Sequence, residues 1–114
     1  MTAVRVIAVQ PDIPGEKIVF IGQVSESDKL IAGEWMGYII ESDDGESYEK
    51  YPCVLTVDGT PRFDFCGWYQ ADEIDVRPYP TNIFERAIRV GEYFTITCDG
   101  EELTYRIKSV HRIL

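Results

Sequence analysis

The sequence predicts a mainly β domain, α+β at most: a small antiparallel sheet curled into a barrel or a sandwich, with one short helix near residues 82–90. Three observations predict it. Asp-Gly occurs at Asp44-Gly45, Asp58-Gly59 and Asp99-Gly100, each time between runs rich in β-branched and aromatic residues. Asp-Gly accommodates the positive φ of tight hairpin turns, so three hairpins are expected. The flanking runs alternate apolar and polar residues, the period of a strand with one wet face. Finally, 45% of the residues are apolar, with seven Tyr, five Phe and two Trp, enough for a packed core and unlike a disordered composition. A chain of 114 residues is expected to form one domain, 1–114.

Taken in order, Val4 to Val9 and Ile18 to Val24 read as strands separated by the turn Pro11-Asp12-Ile13-Pro14-Gly15. A helical turn is expected over Ser27 to Ala32, with Ser25 as its cap and Gly33 as its stop. Trp35 to Glu41 reads as a strand leading into the polar loop Ser42 to Ser47. The middle hairpin runs from Tyr51 to Val57, turns at Asp58-Gly59-Thr60-Pro61 and returns from Arg62 to Trp68. A four-residue loop there sets Thr56 opposite Phe63 and Cys53 opposite Cys66.

Thr81 can cap a helix from Asn82 to Val90. Ile83, Phe84, Ala87 and Ile88 would share one face, Arg86 and Arg89 would fall in the last turn, and Gly91 stands just past the end. In the last hairpin, Phe94, Ile96 and Cys98 share an apolar face with Leu103, Tyr105 and Ile107. Both helical pieces are too short to stand alone and must lean on the sheet. About seven strands with short connections favour the barrel.

Composition narrows the function classes. No apolar run approaches the ~20 residues of a membrane span. The opening Met1-Thr2-Ala3-Val4-Arg5 lacks the features of a secretory signal, and three Cys form no paired framework, so a reducing, cytoplasmic setting is expected. A lone histidine, His111, rules out H-E-x-x-H zinc sites and multi-histidine centres. The G-x-S-x-G elbow, the phosphate loop and G-x-G-x-x-G are all missing. None of the four Lys residues has an acid two positions earlier, so the D/E-x-K pair of some metal-dependent nucleases is missing too. No cofactor is implied.

The net charge of −9 is uneven. Residues 1–76 hold 15 acids against 5 Lys/Arg, whereas residues 77–114 hold 5 against 6. A field of that sign repels nucleic acid and anionic lipid and steers a basic protein partner inward. The acidic surface expected to receive that partner comprises Asp43, Asp44, Glu46, Glu49, Asp72, Glu73 and Asp75.

Other constellations are weighed against plainer structural roles. Cys53, Cys66, Cys98 and His111 are zinc-compatible, but structural zinc sites usually present close pairs such as C-x2-4-C and none occurs; buried, inert cysteines are expected. A Cys–His nucleophile would need one thiolate beside His111, which sits in an ending strand. Asp72, Glu73 and Asp75 follow Trp68-Tyr69, raw material for sugar hydrolysis, yet a solvated acidic strand edge accounts for them. The run Glu41 to Glu49 lacks calcium-loop spacing and reads as a charged hairpin tip. Trp35, Trp68, Tyr69 and Tyr79 suit either stacking on a ligand or core packing, and core packing is expected of both Trp.

The resulting expectation is a non-enzymatic acidic binding protein that docks on a basic partner, in an inhibitor, immunity-type or charge-mimic role. A structural or accessory subunit of an oligomer or phage-like assembly is the alternative. A small enzyme or ligand-binding barrel comes third.

Overall fold

Alternation along the chain becomes the two sides of a curved wall in a computed structural model, which describes residues 2–41, 49–56, 60–65, 78–98 and 100–113. Among the described residues there are eight strands: β1 (Thr2–Gln10), β2 (Ile13–Val24), β3 (Trp35–Glu41), β4 (Glu49–Thr56), β5 (Arg62–Phe65), β6 (Pro78–Pro80), β7 (Tyr93–Cys98) and β8 (Glu101–Arg112). They form one antiparallel sheet in the order β6-β5-β4-β3-β2-β1-β8-β7. Each strand lies beside its sequence neighbour, and the first strand pairs with the last. The result is an up-and-down barrel, nearly closed, of the size whose lumen side chains can fill.

The gap in the ring lies between β6 and β7. Pro78 and Pro80 have no N–H to give a ladder there. Closure falls to the residues just after β6. Thr81 bridges to Ile96, its hydroxyl donates to the Thr95 carbonyl at 2.8 Å, and the Thr95 N–H donates to Asn82 Oδ1 at 2.8 Å. On its other side the Thr81 N–H reaches the Pro61 carbonyl at 3.0 Å, tying the seam to the start of β5.

The lumen is lined by Val4, Val6 and Ala8 of β1, Ile18 and Phe20 of β2, Ile39, Cys53, Leu55, Phe63, Tyr79, Phe94, Ile96, Tyr105 and Ile107, all buried. Four rings cross it in a row. Phe20 meets Phe63 edge-on at 6.2 Å, Phe63 stacks on Phe94 at 6.3 Å, and Phe94 stacks on Tyr105 at 5.7 Å. Such contacts add about 0.5–1.5 kcal/mol each beyond area burial.

The strands of the expected hairpins pair, and in the last Phe94, Ile96, Tyr105 and Ile107 share the expected inner face. Cys98 pairs with Glu101 across Asp99-Gly100, and Gly100 takes φ +82°. Asp44-Gly45, Asp58-Gly59 and Asp99 lie outside the described residues, as does the Cys98 side chain. In the middle hairpin the register differs by one residue from that expected. Thr56 pairs with Arg62, Leu55 with Phe63, and Cys53 with Phe65, so Cys53 does not face Cys66. The apolar pattern decides it: the observed register sets buried Leu55 against buried Phe63, whereas the other would set Leu55 against Asp64.

The helix expected over Asn82–Val90 contracts to a single 3-10 turn, Ile83–Glu85. Its N-cap is Asn82, with no side-chain cap bond, although Thr81, expected as the cap, does accept the Ile83 N–H on Oγ1 at 3.3 Å. Arg86 then turns extended, because Ala87 bridges to Lys29 and the Ile88 N–H donates to the Asp28 carbonyl at 2.7 Å. The turn expected over Ser27–Ala32 is likewise no helix. Ser25 Oγ accepts the Lys29 N–H at 3.3 Å, and Leu30 bridges back to Val24. These two segments seal one barrel end with Leu30, Ile83 and Ile88, all buried. Both arginines find partners there, Arg89 with Asp28 at 2.8 Å and Arg86 with Glu92 at 3.5 Å. No helix among the described residues is long and apolar enough to cross a membrane.

Gly37 faces Phe20 across β3 and β2, and a Cβ there would lie 2.1 Å from the Val19 carbonyl oxygen and 2.7 Å from the Phe20 Cα. Backbone cannot yield as a flexible side chain does. Gly37→Ala is expected to cost about 3 kcal/mol by overpacking, whereas Gly100→Ala, with open space around it, should cost only the left-handed backbone penalty of about 1–2 kcal/mol. Urea midpoints of the two variants at unchanged slope check the difference.

Candidate functional site

An up-and-down order sends alternate connections to opposite ends. The plugged end is apolar. At the other end the chain leaves β1 at Gln10 and β3 at Glu41, and re-enters at Ile13 and Glu49. Three carboxylates gather there by register. Lys17 pairs with Ile40, which brings Glu16 of β2 beside Glu41 of β3 on the lumen side, and Glu41 pairs directly with Glu49 of β4.

Glu16 owes its position to an irregularity. Val9 pairs with Lys17 but Gln10 pairs with Ile13, so Pro14, Gly15 and Glu16 have no counterparts on β1. A bulge of this kind re-aims a side chain. Glu16 ends up only 6% exposed, on the same face as Ile18 and Phe20.

Burial pushes the Glu16 carboxyl from 4.5 up to about 7; the neighbouring charge of Glu41 and a hydrogen bond with that carboxyl push the same way, and the Tyr105 hydroxyl pulls it back. A hydrogen bond between two carboxyl groups needs a proton between them. Around it stand Gln10, buried, with Oε1 lacking a donor among the described residues, and Tyr51, whose hydroxyl donates to Glu49. The mouth is therefore a set of acceptors with a proton exchanged near neutrality. Such a set suits a cationic, donor-rich group.

Of the acidic surface expected from sequence, Glu49 is exposed at this mouth. Asp43, Asp44, Glu46, Asp72, Glu73 and Asp75 lie outside the described residues, as do Cys66, Trp68 and Tyr69. Trp35 is core-packed, its Nε1 donating to the Ile31 carbonyl at 2.9 Å, and Tyr79 is buried. Cys53 points into the lumen, while His111 pairs with Arg5 on the outer face, so the two sit on opposite sides of the wall. Among the described residues no group of three or more His, Cys, Asp or Glu could hold a metal ion.

Sequence reasoning missed Glu16, Gln10 and Tyr105 as site residues and treated Glu41 only as part of a hairpin tip. One signal was present. Glu16 continues the Ile18-Phe20 register and Glu41 the Gly37-Ile39 register, so each acid occupies an inward position. No protein-family model, curated protein or solved structure matches the chain.

A carboxyl with a raised folded pKa stabilises the fold fully only below its unfolded value near 4.5, and that contribution is lost as pH climbs through about 7. Glu16→Gln should therefore flatten part of the pH dependence. Wild type minus variant stability is expected to fall by up to about 3 kcal/mol between pH ~4.5 and ~7.5. Denaturant titrations at several pH values check this, and parallel curves for the two proteins would contradict it.

Proposed function

We propose that the protein is a non-enzymatic acidic binding protein that receives a basic partner protein at the carboxylate mouth. The observation that supports this reading is the row Glu16, Glu41 and Glu49 on three neighbouring strands. Like charges opposite one another in a sheet are destabilising. The fold keeps them together and answers the repulsion with a proton on Glu16. An ammonium or guanidinium from outside would answer it instead, and would add charge-assisted hydrogen bonds.

The same geometry disfavours catalysis by this pair. Sugar hydrolysis separates its carboxyls by ~5–9 Å to flank a bond, whereas Glu16 and Glu41 are hydrogen-bonded to each other. Glu16 is also too buried to meet a substrate, which makes it a support for Glu41 and Glu49.

A lysine-rich peptide and a glutamate-rich peptide of equal length test the reading. The basic peptide should bind at ~0.01 M salt and weaken more than about tenfold at ~0.15 M, where the screening length has dropped from about 30 Å to about 8 Å. Glu41→Gln and Glu49→Gln should each weaken it, while Glu26→Gln and Glu34→Gln, outside the mouth, should not. Equal binding of both peptides, or indifference to the mouth variants, would overturn the proposal.

A further inference from the structure

The outer face of the wall behind the mouth has the opposite character. Val9 of β1 is flanked directly by Lys17 of β2 on one side and Arg106 of β8 on the other. Direct cross-strand partners project from the same face, and neighbouring strands lie about 4.8 Å apart, so Lys17 and Arg106 straddle Val9 at about 10 Å. Lys108 joins them. Ile7 pairs with Ser109 but Ala8 pairs with Ile107, leaving Lys108 as the extra residue of a bulge two places from Arg106.

Together with Val9, Gln10 and Pro11, these three cations line a shallow pocket of about 340 Å³. No acid lines it. Arg62, Arg86 and Arg89 are matched, with Asp64 at 3.4 Å, Glu92 and Asp28, while Arg5 and Arg112 on the same barrel have no ion pair among the described residues. Lys17, Arg106 and Lys108 have no ion pair among the described residues, in a chain with 20 acids to 11 Lys/Arg. Three cations without ion pairs, on two strands and spaced by register and a bulge around one depression, have the charge and spacing that suit a multiply charged oxyanion.

We propose that this outer-wall pocket is an anion site that takes a phosphate-class oxyanion, either free phosphate or diphosphate or the phosphoryl group of a small ester. Lys17 and Lys108 supply point charges, and Arg106 supplies a planar fork that matches two phosphate oxygens. The site is separate from the acidic mouth. Its three cations face outward while Glu16 faces inward, with Gln10 bordering both, and it does not depend on the docking function proposed at the mouth.

Amide chemical shifts followed during titration with inorganic phosphate, diphosphate and glycerol phosphate, each against sodium chloride at equal ionic strength, test it. Saturable shifts are expected at Val9, Lys17, Arg106 and Lys108, tighter for diphosphate than for phosphate and missing with chloride. A response to both phosphate and glycerol phosphate means that the phosphoryl group itself is recognised; a response to the free ions alone restricts the site to inorganic anions. Lys17→Gln, Arg106→Gln and Lys108→Gln should each weaken diphosphate about tenfold. Arg5→Gln, farther along the same face, should leave it unchanged. Shifts that chloride reproduces, or an Arg5→Gln loss as large as the others, would reduce the effect to diffuse screening and overturn the proposal.

Discussion

The row of rings from Phe20 through Phe63 and Phe94 to Tyr105 constrains everything else in this barrel. It draws one side chain each from β2, β5, β7 and β8, and so reaches across the lumen to both sides of the seam, where Thr81 just after β6 makes a single bridge to β7. Ladder hydrogen bonds cannot close that seam, because β6 is built around two prolines. Packing through the middle does so instead, with Thr81 and Asn82 stitching the outside. Occupying the lumen has a consequence for function. An eight-stranded barrel has room for side chains or for one small ligand, and here the rings take the space.

Tyr105 links the apolar row to the mouth. Its ring completes the stack on Phe94, and its hydroxyl bears on Glu16, opposing the upward push of burial and of Glu41. Two carboxyls at one rim, one of them nearly buried, would strain the sheet if both were ionised. Sharing a proton lowers that strain without giving up the acceptor atoms. The charge the mouth presents therefore depends on pH close to neutrality.

Much of the fold was legible because hydrophobic alternation and turn chemistry are local. The Trp35–Glu41 strand, the Asp-Gly hairpins and the inward set Phe94, Ile96, Tyr105 and Ile107 follow from residues close in sequence. What was not legible was set by distant partners. The stretch after Ile83 carries a helical pattern, but Ala87 and Ile88 pair with Lys29 and Asp28, and that pairing draws the chain out. The Cys53–Cys66 pairing failed because register was inferred from loop length, whereas burial of Leu55 against Phe63 sets it. Glu16 is not legible from alternation, which starts the strand at Ile18, because its inward position depends on the irregularity at Pro14-Gly15. The cations around Val9 come from two strands 89 positions apart at Lys17 and Arg106, a proximity only the β1–β8 closure creates.

Opposite charges reach opposite sides of the wall through the strand period itself. Glu16 points inward and Lys17 outward on β2; Tyr105 points inward and Arg106 outward on β8. A slip of one residue in either strand would exchange them, placing lysine and arginine against the aromatic row and carboxylate on the outer face. The two irregularities lie where such a slip would be felt, at Pro14-Gly15-Glu16 and at Lys108. Each adds unpaired residues that fit only one alignment with β1. The bulges therefore fix the register, and the register separates an acidic mouth from a basic wall across one layer of backbone.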